Sequence, residues 1–272
     1  MTTPRIIVDS LVTQLAAREY VLRLLSLSTS DPASQRFARV FDAGFQELAC
    51  AAASHLAKDL AARPTELASG EEPPEALDLS AIVEALHEPR ERLVEDHTRV
   101  FSLVVSKECP PYEVEYCPQT FSVYRSQRMA DIAGFYHAFG VEPGRDVPER
   151  VDHIACELEF LAWLVAKERH ARTREGESWA EYAQVCRDAQ RDFLSGHVAW
   201  WVPAFARALR ARAHSLDPAP SLPMAVASAL ASLVPAERFV LGVEPPDELA
   251  RPSTAEDLGQ GSCESRCSKG VF

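Results

Sequence analysis

Helical periodicity, repeated in run after run and punctuated by proline, constrains this chain more than any other feature. The first run, Ile7 to Ser28, carries Leu11, Leu15, Tyr20, Leu22 and Leu25 at helix-like spacing. The chain has 11 glycines and none before Gly44, and it is rich in Ala, Leu, Glu and Arg while sparse in Ile, Thr and Tyr. That bias favours helix over strand. The expected fold class is all-α.

The punctuation predicts the element order. Asp31 and Pro32 read as an N-cap and first helical position, opening a helix that runs to Arg63 with Phe37, Val40, Phe41, Phe45, Leu48 and Leu56 on its apolar face. Pro64 and a Gly, Glu and Pro-rich loop from Ser69 to Glu75 follow. A third helix is expected from Ser80 to Val104, kinked or split at Pro89. The stretch from Val105 to Gln119 holds Pro110, Pro111 and Pro118 and cannot be continuous helix. The helical period returns from Phe121 to Phe139 and stops at Gly140. Asp146, Pro148 and Glu149 resemble a capping-box start for a helix that reaches Arg172. A long pattern covers Trp179 to His214, breakable at Gly196 and Pro203, and a short one covers Leu222 to Leu233. Seven of the 19 prolines fall between Pro218 and Pro252. The expected organisation is one helical domain over residues 1–235 and a Pro-rich, polar, flexible tail over 236–272.

Charge and cysteine usage narrow the function classes. The formal net charge is −12, which repels a phosphate backbone and argues against nucleic acid while favouring a cationic peptide or protein. No stretch reaches the roughly 18 consecutive apolar residues of a membrane span. Residues Met1 to Ser10 include Arg5 and Asp9 and lack the apolar core of a signal peptide. Seven cysteines, an odd number, are scattered through the chain, with Cys50, Cys156 and Cys186 inside helical patterns. Reduced thiols and a cytoplasmic location are expected.

The common phosphate-binding, zinc-protease, dithiol and serine-hydrolase motifs are missing from the chain. Three features carry chemistry instead. The first is the loop Glu108-Cys109-Pro110-Pro111-Tyr112-Glu113-Val114-Glu115-Tyr116. Its prolines pre-order it, its tyrosines offer amphipathic area, and Glu113 and Glu115 suit guanidinium groups. From this segment alone, a plain inter-helix loop whose tyrosines cap the core is the favoured reading. The second is Asp152-His153, near the expected start of a helix, where acidic residues complement the helix dipole. The third is Cys263-x-x-x-Cys267, two thiols with no second pair nearby to complete a four-ligand metal site.

Read in order, the segments Asp96–Phe101, the Cys-Pro-Pro-Tyr-Glu loop, Ala130–Gly140, Glu149–Leu161 and Phe193–Phe205 resemble the TorD/DmsD/NarJ family of redox-enzyme maturation chaperones. The likeness is strongest to the branch that accompanies molybdenum dehydrogenases and reductases. Val151 stands where the family's usual Glu-x-Pro-Asp-His has proline. The resemblance implies a TorD/DmsD-like single domain of about ten helices, not an enzyme and without a cofactor or metal of its own. It implies a cytoplasmic chaperone that binds the catalytic subunit of a molybdopterin oxidoreductase, through its twin-arginine signal peptide or its mature domain, and assists cofactor insertion before export. No membrane insertion follows from it. A peptide with a cationic stretch and then an apolar one needs carboxylates beside an apolar groove. Glu113, Glu115 and Asp152 are the candidates for the first, Tyr112, Tyr116, Phe135 and Tyr136 for the second, and His153 for a bond to peptide backbone. Two other readings remain: a metal-binding or redox-sensing helical protein using Cys109, Cys117, Cys263 and Cys267, and a helical hydrolase using His153 with Asp152 or Glu157.

Overall fold

A computed structural model describes residues 4–61, 63, 65–101, 108–118, 122–142, 144, 149–214 and 221–252. Among these residues there are nine α-helices and no strand: α1 (Pro4–Ser28), α2 (Ala43–Leu60), α3 (Ser80–Ala85), α4 (Arg90–Phe101), α5 (Ser122–Ala138), α6 (Ile154–Arg172), α7 (Glu177–Phe193), α8 (Val202–Ala213) and α9 (Leu222–Leu241). Short 3-10 turns at Phe37–Phe41, Pro74–Ala76 and Glu113–Tyr116 connect them. The all-α expectation holds.

Helix α1 is the hub. It packs on α2, α6 and α9, while α7 lies along α6 and α8 along α9. Leu15, Val21, Leu22, Leu24 and Leu25 of α1 are buried, and side chains of this kind contribute about 1.5–3 kcal/mol each when withdrawn from water. Four elements of this hub are also tied by polar bonds. Arg18 donates from Nε and Nη2 to the Glu237 carboxylate at 2.6–3.2 Å and from Nη2 to Gln190 at 2.9 Å. Gln190 in turn donates to Glu168 at 2.8 Å. The chain α1–α9–α7–α6 is thereby closed around one buried guanidinium.

Three helix boundaries differ from the sequence expectation, each for a local reason. Asp31 does not open a helix: its carboxylate accepts from Ala33 N–H within a turn. Asp42 is the N-cap of α2 instead, accepting from Phe45 N–H at 2.7 Å. Helix α6 starts at Ile154, not Glu149, and its N-cap is His153, whose Nδ1 accepts from Ala155 N–H at 3.1 Å. The expected capping residues Asp146 and Pro148 lie outside the described residues, as do Val104 and Phe121. Helix α9 does not stop before Pro235 but continues to Leu241. Pro235 lacks the N–H that would bind the Ala231 carbonyl, and Glu72 N–H takes that carbonyl at 2.9 Å. Residues 236–241, assigned to the tail from sequence, are therefore helix, and Leu249 and Ala250 pack against the core.

Other breaks fall where expected. Pro89 separates α3 from α4, its carbonyl accepting from Arg92 and Leu93. A π-helical turn at Leu194–Val198 containing Gly196 and the Pro203 start of α8 interrupt the long pattern after Trp179. Helix α9 is the one helix among the described residues long and apolar enough to cross a membrane, and most of it is buried inside the bundle.

Candidate functional site

The proline-bracketed loop folds back on the start of α6. Pro111 carbonyl accepts from Ile154 N–H at 2.9 Å, and Glu113 N–H donates to the Asp152 carbonyl at 2.9 Å. Tyr112 and His153 form an isolated antiparallel bridge, with their rings edge to face at 5.2 Å. Two segments far apart in sequence thus make one backbone joint. Pro110 and Pro111 stiffen one side of it, and the capped helix end fixes the other.

Glu113 hangs from this joint into the interior and is completely buried. A buried carboxylate must be matched by donors, and three converge on it. Arg128 Nε of α5 donates at 2.6 Å, Trp200 Nε1 at 3.1 Å, and His197 Nδ1 lies at 3.2 Å. The Arg128 guanidinium also donates to the Gly196 carbonyl and lies 5.0 Å from the Trp200 ring centroid. Across His197, Asp131 approaches Nε2 at 3.4 Å. Behind the cluster sits Glu157, also completely buried, accepting from Trp201 Nε1 at 3.1 Å. Burial raises the Glu157 pKa well above its ordinary value, and the Glu113 and Asp152 charges add to the shift. Its second oxygen meets no donor. Glu157 therefore holds its proton to higher pH than an ordinary glutamate.

Asp152 repeats the pattern on the loop's other side. Also buried, it receives a two-pronged bond from Arg150, Nε to Oδ1 at 3.0 Å and Nη2 to Oδ2 at 2.8 Å, plus Val114 N–H at 3.3 Å. Burial raises its pKa against the opposing pull of Arg150. The same guanidinium lies 4.3 Å from the Tyr112 ring centroid. Glu115, half-buried, pairs with Arg125 at 3.1 Å and with Arg150 at 3.6 Å.

The eight residues singled out from sequence are brought together, but on different terms. Tyr112, Glu115 and Phe135 are partly exposed. Glu113, Tyr116, Tyr136, Asp152 and His153 are buried. Tyr116 packs at a tilt against Trp201, and Tyr136 OH donates to the Val151 carbonyl at 2.8 Å while its ring meets Phe160. His153 is pushed down to about 3, first by burial and then by His97, Arg36 and Arg150, so it stays neutral. A neutral, capping imidazole wholly inside the protein has no geometry for a hydrolytic base. Cys109 is buried and its thiol pKa is raised by burial; that of Cys117 is pushed up to about 11, again first by burial. No three His, Cys, Asp or Glu side chains among the described residues come together as a metal site. Cys263 and Cys267 lie outside the described residues.

Sequence reasoning missed Arg128, Asp131, His197 and Trp200. Asp131, His197 and Trp200 stand inside segments already quoted for the resemblance. Arg128 has only an indirect signal: a carboxylate in a Pro-rich loop that is destined for the interior requires a cation, and Arg125 and Arg128 lie three apart on one face of α5.

Arg128, Asp131 and Trp200 border an open cleft of about 580 Å³ together with Cys117, Tyr124 and Gln127. Two further grooves, about 510 and 720 Å³, adjoin each other along α6 and share Arg36, Glu159 and Trp163.

With this geometry in view, the comparisons with known proteins are informative. Residues 70–207, about half of the chain, match the family model described as nitrate reductase delta subunit. The chain belongs to this TorD/NarJ family. The matched region spans every residue of the Glu113 cluster. Among similar proteins, the selenate reductase assembly chaperone of Thauera selenatis is 37% identical over 136 residues, 47% of this chain and 64% of that one. The chlorate reductase assembly chaperone of Ideonella dechloratans is 38% identical over 101 residues, 34% of this chain and 50% of that one. A chaperone protein TorD of Vibrio cholerae is 35% identical over 81 residues, 30% and 33% respectively. The chain thus spans less than two thirds of the length of each of these relatives, which carry chaperone names and not enzyme names. No solved structure gives a significant match.

Proposed function

We propose that this protein is a cytoplasmic, non-enzymatic chaperone that binds the catalytic subunit of a molybdopterin oxidoreductase, through its twin-arginine signal peptide, and holds it until cofactor insertion is complete. One observation carries the reading. Four of the five segments behind the family resemblance meet at one joint: the loop and Asp152 build it, His197 and Trp200 bond Glu113 and Asp131 of α5 faces His197, while the fifth packs behind them through Phe101, which stacks on Phe205 at 6.3 Å. The printed names of the relatives, assembly chaperones of selenate reductase and chlorate reductase, support an oxidoreductase subunit as the client.

The chemistry fits a guest that is cationic and then apolar. Net charge of −12 steers such a peptide inward. Asp131 offers a carboxylate at the cleft, and Tyr124 and Trp200 offer aromatic area beside it. In this reading Glu113, Asp152, Tyr116, Tyr136 and His153 shape the joint from inside, while Tyr112, Glu115 and Phe135 lie nearer the guest. The test is gentle affinity purification of the tagged full chain from its own host, followed by mass spectrometry. A molybdopterin catalytic subunit that still bears its signal peptide is the expected dominant partner. Recovery of unrelated proteins alone would remove the proposal.

A further inference from the structure

We propose that Arg128 occupies, in the free protein, a guanidinium seat that an arginine of the client takes over on binding. This rests on the client-binding reading above and adds what the seat is and what fills it at rest. Glu113 is completely buried, yet the side chain that neutralises it is 30% exposed and borders the open cleft. Arg128 is thus the plug between solvent and a buried carboxylate.

The surroundings of its guanidinium are those of an arginine receptor. Nε meets a carboxylate at 2.6 Å, Nη2 meets the Gly196 carbonyl, and the plane lies over the Trp200 ring at 5.0 Å. Carboxylate, carbonyl and aromatic face together match a flat fork of donors and do not match a compact ammonium. An arriving arginine would remake each of these contacts as Arg128 swings out from α5. Glu113 would never be left without a cation, so the exchange avoids the large cost of a bare buried charge.

A second seat lies beside the first. Arg150 is 38% exposed, forked onto the buried Asp152 and stacked on Tyr112. Glu113 N–H donates to the Asp152 carbonyl, and Val114 N–H to the Asp152 carboxylate. The two carboxylates therefore hang from one backbone joint, as two neighbouring arginines of one peptide require. An internal occupant has a thermodynamic consequence. It lowers the resting affinity by the fraction of time the seat is closed, and removing it restores that fraction.

The experiment uses the full chain and two synthetic peptides, one with Arg-Arg ahead of an apolar run and one with Lys-Lys in the same place. Calorimetry should find the Arg-Arg peptide bound about tenfold tighter by Arg128→Ala than by the parent chain, with no gain for Lys-Lys. A second measurement needs no variant. The Arg128 Nε–H resonance of the unaltered chain should move to the position of a solvated arginine as the Arg-Arg peptide saturates it. If the peptide binds the parent chain while that resonance stays put, or binds Arg128→Ala no tighter, the seat is refuted and client binding stands. If neither chain binds the peptide, the seat and the signal-peptide part of the proposed function both fall.

Discussion

Arg18 and Arg128 each neutralise a buried glutamate, Glu237 and Glu113, and each extends its bonds to a further element of the fold. They differ in their outer side. The Arg18 and Glu237 side chains are 1% and 2% exposed, and helices α1, α6, α7 and α9 enclose them. Arg128 lies at the wall of a cleft, with aromatic rings and an exposed Asp131 around it. The first arrangement can only hold helices together. The second can exchange its cation with one from outside. A buried ion pair is therefore a poor guide to role until the access of each partner is known.

That contrast can be broken by mutation, and the largest effect belongs to the enclosed pair. Glu237→Ala leaves Arg18 buried and unpaired, and urea unfolding should register a loss of about 3–5 kcal/mol. Arg128→Ala should lose less, about 1–3 kcal/mol in the same assay, because the vacated place opens to water from the cleft and Trp200 and His197 still face Glu113. Equal losses would mean that Arg128 is as structural as Arg18.

Two buried groups make opposite predictions with pH. The Glu157 pKa is raised above its ordinary value of 4.5. Its favourable contribution is complete below that value and is lost as pH rises through the folded one. His153 falls from 6.5 to about 3. Its contribution is complete above 6.5 and is lost as pH falls toward 3. Each slope is at most about 1.4 kcal/mol per pH unit. Stability curves of Glu157→Gln should be flatter as pH rises from 4.5. His153→Asn, which keeps a capping side chain, should be flatter on the acid side. Curves parallel to the parent's would contradict the assigned protonation states.

The smallest effect is expected at Val151, where the family resemblance implies a proline. Val151→Pro should shift stability by about 1 kcal/mol or less and leave peptide affinity unchanged in calorimetry.

Much of this fold was legible from sequence because it rests on periodicity and punctuation. The α1 run, the Pro89 split and the break at Gly196 and Pro203 are all local signals. What escaped was decided by partners distant in sequence. Pro235 fails to stop α9 because Glu72 takes the freed carbonyl of Ala231. The start of α6 is set by the joint with Pro111 and Glu113, which no pattern near Glu149 reveals. The same holds for the site. The loop and Asp152-His153 stood out by composition, and the TorD/NarJ resemblance set them side by side. Which carboxylates are buried, and which arginines cover them, depends on α5 and on the turn before α8. Glu113 reads as a surface acceptor in sequence and is an interior one in the fold.

The most direct test of where the client docks is site-specific photocrosslinking in the host. Benzoylphenylalanine replaces Tyr124 at the cleft in one chain and, in another, Tyr182 of α7, which does not line that cleft. A chaperone that binds through the Glu113 joint should trap the oxidoreductase subunit from position 124, with the adduct on the signal peptide, and should give none from 182. Adducts from 182 alone, or on the mature domain alone, would contradict that docking.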